Sequence, residues 1–260
     1  MVAMATDVDL LARVVAFQVG IARRSAERLV AVPGGSAVLD DRYPSSYEHN
    51  QLFVTAPVRA HAALAEADRL LRERRHRFVT VLEPDVAARL APGIRAAGYR
   101  EEGTVVMVLA RAPEPAAPDS PRAERVPLEA IREADALAWD ERYAGLAAGV
   151  VRELFERRYT TAAACDLSTH VVHAGGAVVA WCNLYRVGRE AQVENVNTLP
   201  AWRRRGFARA VVLDAVAAAH EAGCGFVFLL ADRDDWPRGF YAGLGFVVIA
   251  EQRSFVRAPD

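Results

Sequence analysis

An arginine-rich turn with two small residues precedes a predicted helix in the second half of the chain. The segment from Val193 to Thr198 has the β-branched pattern of a strand, and an alanine- and valine-rich helix is predicted from Ala208 onward. The first N–H groups of a helix lack intrahelical partners and carry about half a positive charge, so small residues there let an anion reach the backbone. The spacing predicts an anion site with these residues: Arg203, Arg204, Arg205, Gly206, Phe207, Ala208 and Arg209.

A second strand and a short helix follow this helix. The apolar run from Phe226 to Leu230 predicts a buried strand, and the segment from Trp236 to Phe246 predicts a short helix that ends in Gly-Phe. A single glycine turn before a helix is weak evidence of a ligand, because many α/β proteins carry one without binding anything. The two strand-helix units together are much more specific.

These two segments together resemble the acetyl-CoA-binding core of the GCN5-related N-acetyltransferase (GNAT) superfamily. The family pattern Gln/Arg-x-x-Gly-x-Gly/Ala, which cradles the pyrophosphate of CoA, matches Arg203, Gly206 and Ala208. The resemblance implies that the pantetheine arm adds to the edge of the preceding strand as an extra strand would. It also implies that Val196 and Thr198 supply the main-chain contacts.

Two further positions follow from the resemblance. The tyrosine before the family's Leu-Gly-Phe motif, which often protonates the departing thiolate, corresponds to Tyr241. Asp234 stands where the family commonly has an asparagine that bonds the cofactor, seven residues before that tyrosine. The alternative for Tyr241 is an aromatic ring that only packs beside Phe240 and Phe246.

Glu194 is the candidate general base. An alkyl amine with a pKa near 10 is neutral in roughly one part in a thousand at pH 7, a deficit of about 4 kcal/mol, so a base is useful. Strand alternation predicts that Glu194 shares a face with Gln192 and Val196. Many members of the family use a glutamate on this strand. The alternative is a solvated or arginine-paired carboxylate.

The chain is expected to contain two copies of one architecture. Four prolines lie between residues 112 and 121, which is typical of an extended linker. The strand-helix-strand pattern of the second half recurs in the first at an offset of about 143 to 148 residues. We therefore expect a domain at 1–112, a linker at 113–121 and a domain at 122–260. With the resemblance, this predicts an α/β (α+β) chain of two tandem acyl-CoA N-acyltransferase folds, each a mixed, mostly antiparallel twisted sheet flanked by helices.

The two copies differ at the positions that carry chemistry. Ala60, Ala63 and Ala65 stand where the second half has the arginine, glycine and alanine of the turn, and Ile94 stands in place of the tyrosine. A β-carbon crowds a phosphate, and isoleucine has no proton to give. We expect the first domain to keep the fold without the chemistry.

Composition excludes several classes of function. Hydrophobic content of 52%, charged content of 25% and a net charge of −1 are typical of a globular protein and give no long-range field that favours nucleic acid. Three widely spaced cysteines suit a reducing compartment, and charges interrupt the N-terminal apolar residues, so a cytoplasmic location without membrane insertion is expected. No metal is expected, because no set of ligands has the required spacing.

The sequence thus predicts an N-acetyltransferase that moves an acetyl group from acetyl-CoA directly to an amine of a small molecule or peptide. The alternative is a non-catalytic acyl-CoA-binding sensor or scaffold. The oligomeric state is open, with a homodimer among the alternatives.

Overall fold

The computed structural model describes residues 6–114, 117, 119–234 and 237–258. Residues 115, 116 and 118 of the expected linker, and Trp236 of the expected short helix, lie outside the described residues. Internal contacts divide the chain into two compact units. The first unit takes in described residues within 1–106, 231–235 and 249–260, and the second takes in those within 107–230 and 236–248.

The described part of the chain contains helices and strands in mixed order. In chain order they are α1 (Asp7–Ser25), β1 (Arg28–Val32), β2 (Gly35–Leu39), β3 (Gln51–Val54), α2 (Ala60–Leu70), β4 (Arg77–Val81), α3 (Pro84–Ala96), β5 (Arg100–Leu109), β6 (Glu124–Val126), α4 (Arg132–Arg142), α5 (Ala148–Ala164), β7 (Asp166–Ala174), β8 (Ala177–Val187), β9 (Glu190–Thr198), α6 (Phe207–Glu221), β10 (Phe226–Asp232), α7 (Pro237–Gly243) and β11 (Phe246–Arg257).

The first unit contains a sheet in the order β1-β2-β3-β4-β11, in which β3 and β4 are parallel and the other neighbours antiparallel. Successive strand residues point to opposite faces. Leu52 and Val54 therefore join the core cluster that contains the buried residues of α2 and α3, whereas Phe53 packs with Val19 of α1. Both faces of this sheet are covered by helices.

The second unit contains a sheet in the order β10-β9-β8-β7-β6, in which only β9 and β10 are parallel. On one face, Phe155 of α5 packs with Val171 and Trp181. On the other face, His170 bonds Asp214 of α6 at 2.6 Å. The observed class is the expected one, a mixed, mostly antiparallel sheet flanked by helices.

Both units present the same succession of elements, β3-α2-β4-α3 in the first and β9-α6-β10-α7 in the second. The C-terminal strand, however, pairs with the first unit: β11 runs antiparallel to β4, with Val256 opposite Phe78 and Arg253 opposite Val81. The compact units therefore have different limits from the expected domains. The boundaries at 112 and 122 stay a prediction about the two copies.

None of the helices in the described part of the chain is long and apolar enough to cross a membrane.

We predict that the core of the first unit depends on the C-terminal strand. Phe255 is fully buried in the cluster formed with α2 and α3. Phe255→Ala should lower the free energy of unfolding by about 3–5 kcal/mol through lost burial and a cavity. Val8→Ala, at a position in α1 that is 77% exposed, is the control and should change it by less than about 0.5 kcal/mol. Urea denaturation followed by circular dichroism measures both, and equal midpoints for the two variants would contradict the assignment.

Candidate functional site

Strands β9 and β10 begin as a parallel pair and then separate. Their pairing runs from Glu190 opposite Phe226 to Val193 opposite Leu229. From there to its end, β9 pairs with β8 alone among the described residues of the second unit. One backbone edge of β9, the open edge, thus has no described strand partner over residues 194–198, although the carbonyl oxygens of Asn195 and Thr198 accept from the side chains of Asn197 and Arg203. Backbone groups on such an edge can accept an added extended chain.

A β-bulge lies at the start of this open edge. Glu194 is opposite Asn183, and Asn197 is opposite Trp181, so residues 195 and 196 together face a single position of β8. Asn195 has a φ of 54°, in the left-handed region that asparagine tolerates better than most residues. The extra residue bends the strand and increases its twist.

The bulge changes which side chains share a face. Paired residues of neighbouring strands point to the same side, so the register places Asn197, and not Val196, on the face of Glu194. The predicted common face of Glu194 and Val196 is therefore wrong, because alternation holds only in a strand without a bulge. Gln192, before the bulge, does share the face of Glu194 and bonds it.

The predicted anion turn forms the start of α6. The 3-10 turn Pro200–Trp202 follows β9, and Gly206 then occupies the N-cap with a φ of 80°. That conformation favours glycine, and the cap contributes no side-chain hydrogen bond. The N–H groups of the first turn, at Phe207, Ala208 and Arg209, therefore have no acceptor from a capping side chain and suit an anion.

Arg203 links this turn to neighbouring elements. Its Nε donates to the carbonyl oxygen of Thr198 at 3.1 Å, and a terminal nitrogen pairs with Glu141 at the end of α4 at 2.7 Å. Arg204 is exposed and has a φ of 62°. The side chain of Arg203 is half exposed, so its ion pair with Glu141 contributes little stability and can exchange for another anion.

The other two arginines of the turn also have contacts. The guanidinium of Arg205 lies 4.8 Å from the ring centroid of Trp202, and that ring packs beside Phe207. Arg209 donates to the carbonyl oxygen of Glu114 at 3.0 Å. Stacking holds Arg205 at the surface of the turn, and among the described residues its hydrogen-bond donors have no acidic partner.

Thr198 closes the open edge of β9. Its hydroxyl oxygen is buried and has no hydrogen-bond partner in the described part of the chain. A buried polar atom without a partner costs about 1–3 kcal/mol, so a ligand that supplies a polar group at this point would be favoured. The open edge, the uncapped helix start and this hydroxyl fit a long phosphorylated co-substrate.

Glu194 is half-buried among polar side chains on the face covered by α5. Its Oε2 accepts from Nε2 of Gln192 at 2.6 Å. Burial raises the pKa of Glu194, while hydrogen bonds from the backbone of Asn195 and from Gln192, and the charges of Arg157 and Arg158, act in the opposite direction.

The two arginines of α5 are themselves buried. Arg157 donates to the carbonyl oxygen of Leu154 at 3.1 Å, and burial lowers its pKa to about 10. Arg158 pairs with Asp135 of α4 at 2.7 Å, and the indole of Trp139 donates to the same carboxylate at 3.1 Å. The charges of Arg157 and Arg158 thus act on Glu194 from side chains that other groups also hold.

Tyr241 lies in α7 with its side chain almost completely buried. Its ring packs against Phe240 and edge-on to Phe246. Burial raises the pKa of Tyr241, and the charge of Glu194 raises it further. The tyrosine therefore has the packing role considered from the sequence and also lies within electrostatic reach of the candidate base.

Asp234 belongs to the first unit. Its carboxylate accepts from the guanidinium of Arg233 at 3.0 Å, and Arg233 also pairs with Glu251 at 2.7 Å. This ion pair lowers the pKa of Asp234. Within the described ranges, no three His, Cys, Asp or Glu residues are grouped so that they could hold a metal ion.

The sequence predicted that Gln192 shares the face of Glu194, and the register confirms this, but it did not indicate the hydrogen bond between them. Arg157 and Arg158 gave no signal, because adjacent arginines in a helix are ordinarily solvated. Their burial depends on the packing of α5 against the sheet.

Comparison with known proteins agrees with this geometry. Residues 129–246 match the family model described as the acetyltransferase (GNAT) family. No match was found among curated protein sequences. A GCN5-related N-acetyltransferase from Kribbella flavida is 18% identical, covers 96% of both chains and has a TM-score of 0.65.

Two other solved structures have a similar fold. A functionally unknown conserved protein from Staphylococcus epidermidis is 14% identical, with a TM-score of 0.68 over 91% of this chain and 96% of that one. A tandem GNAT protein from the clavulanic acid biosynthesis pathway is 18% identical. Its TM-score is 0.53, over 77% of this chain and 70% of that one. These identities support the fold alone, while the family match covers the open strand edge, the turn, Glu194 and Tyr241. Residues 129–246 of this chain are thus similar to the acetyltransferase (GNAT) family.

Proposed function

We propose that the chain is an N-acetyltransferase that moves an acetyl group from acetyl-CoA directly to an amine of a small molecule or peptide. The observation that carries this proposal is the separation of β9 from β10 beside an uncapped helix start. A ligand with an extended arm and an anionic group would use both features. Its arm would lie along the separated strand edge, and its anionic group would lie at the helix start. The family supports acyl-CoA-dependent transfer in general, and the amine acceptor is our proposal.

In this proposal the co-substrate binds along one continuous path. Its pantetheine arm would pair with the backbone of Val196 and Thr198 on the open edge of β9. Its pyrophosphate would bind the N–H groups that follow Gly206, with Arg203 released from Glu141 to join them. The charge of the helix start favours the phosphates.

Two side chains would handle the protons. Glu194 takes the proton from the acceptor amine, directly or through water, as its nitrogen forms a bond to the acetyl carbon. The bond between that carbon and sulfur then breaks, and Tyr241 gives its proton to the departing thiolate. Because burial raises the pKa of Tyr241, the phenol holds this proton throughout the neutral range.

The site would lie in the second copy only. In the first unit, β3 and β4 remain paired to their ends, with Val54 opposite Val81, and the N–H of Leu82 also bonds the carbonyl oxygen of Val54 at 3.1 Å. The start of α2 packs closely on α3: a β-carbon added to Gly93 would lie 2.9 Å from that of Ala60. This closed arrangement supports a copy kept for its fold.

Gly206→Asp should weaken CoA binding by about 100-fold or more, because a carboxylate at the helix start repels the phosphates by a few kcal/mol. Isothermal titration calorimetry measures the affinity. Gly188→Asp is the matched control, since Gly188 also has a positive φ, 59°, in a turn with open space around it. Equal CoA affinities for the two folded variants would remove the basis of the assignment.

Tyr241→Phe keeps the ring and its packing but removes the proton, so turnover should fall roughly 10- to 1000-fold with little change in CoA affinity. Release of free thiol in the presence of a pool of amines measures turnover. Tyr99→Phe removes a buried hydroxyl that has no partner among the described residues of the first unit and should leave turnover unchanged. Full turnover in Tyr241→Phe would assign Tyr241 to packing. A wild-type chain that binds CoA but releases no thiol with any amine would favour a sensor or scaffold.

Each chain should bind one CoA. Ala63 and Ile94, at the positions of Gly206 and Tyr241, are both buried in the apolar core of the first unit, which leaves no phosphate cradle and no acid there. Calorimetric titration of the full chain should give a stoichiometry of one, and Gly206→Asp should weaken this binding event by about 100-fold or more. A second CoA equivalent that persists in Gly206→Asp would contradict the prediction.

A further inference from the structure

The side chain of Gln192 contacts the candidate base and is itself buried. It lies two residues before Glu194, on the same face of β9 and before the bulge. The amide nitrogen Nε2 donates to Oε2 of Glu194 at 2.6 Å. This hydrogen bond uses one specific oxygen of the carboxylate.

A partly buried carboxylate depends on the protein for part of its hydrogen bonding. The structure gives Glu194 a hydrogen bond from the side-chain amide of Gln192. Because Gln192 is itself buried, this donor approaches one carboxylate oxygen from a fixed direction. A hydrogen bond to a charged group is also stronger than one between neutral groups.

We infer that Gln192 is a positioning residue that orients the carboxylate of Glu194 and keeps it ionised for proton removal from the acceptor. This inference rests on the proposed function, because it assigns Gln192 a part in the same site. Gln192 acts through Glu194 and does not itself need to touch either substrate.

Other charged and titratable groups also face Glu194. They are Arg157 and Arg158 from α5, Tyr185 from β8 and Tyr241 from α7. Asp135 holds Arg158 from the far side. None of these groups is altered by a substitution at Gln192, so a change in the titration of Glu194 in such a variant reports the lost amide bond.

The test is the pH dependence of kcat/KM for the amine in two variants. Gln192→Met preserves length and removes the donor, and the acid limb should move to higher pH by about one unit. Gln192→Glu preserves shape and places a like charge beside Glu194, and the limb should move further in the same direction. The KM for acetyl-CoA should change little. Gln51→Leu, which removes a buried glutamine that bonds Thr80 in the first unit, should keep the wild-type profile.

The results separate this inference from the proposal on which it rests. Glu194→Gln should lose activity across the whole pH range, and full activity in that variant would remove the base itself. The positioning role is overturned by one combination of results. Glu194→Gln is inactive, but the folded variants Gln192→Met and Gln192→Glu both keep the wild-type kcat and the wild-type acid limb of the pH profile. Far-ultraviolet circular dichroism establishes folding, and Gln192→Glu, which differs by one atom, decides the matter if Gln192→Met does not fold.

Discussion

The bulge in β9 is the constraint on which the candidate site depends. Two residues opposite one position of β8 end the regular ladder and bend the strand away from β10. Without the bulge, β9 and β10 would pair to their ends, as β3 and β4 do in the first unit. The edge proposed to receive the pantetheine arm would then be hydrogen-bonded to protein.

A network of side-chain amides, anchored by the buried Asn183, stabilises this irregular strand. The side chain of Asn195 bonds Asn183 at 3.1 Å and Asn197 at 2.9 Å, and Asn183 continues the network to Thr169. Buried polar groups of this kind stabilise a structure only when each has a partner, and they then specify a single arrangement. The network therefore explains how the sequence can hold a positive φ at Asn195, which has an energetic cost, at a fixed place in the strand.

Much of the second unit could be predicted from the sequence, because the residues that identify each strand and helix lie within that element. The apolar run from Phe226 and the small residues at the start of α6 identify two strand-helix units, and both formed as expected. The bulge gave no such signal, since alternation is the default expectation for any strand. The pairing of β11 with β4 joins residues far apart in sequence, and the periodicity of a strand does not identify its partner.

The charges around Glu194 and Tyr241 also couple the two proton transfers of the proposed reaction. The negative charge of Glu194 raises the pKa of Tyr241, so the phenol is a weaker acid while the base is ionised. When Glu194 accepts the proton of the amine, that charge disappears, whereas Arg157 and Arg158 remain positive beside it. In the proposed reaction, the phenol would then lose this contribution to its raised pKa at the stage when the thiolate must be protonated. Proton uptake by the proposed base would in this way assist the proposed acid.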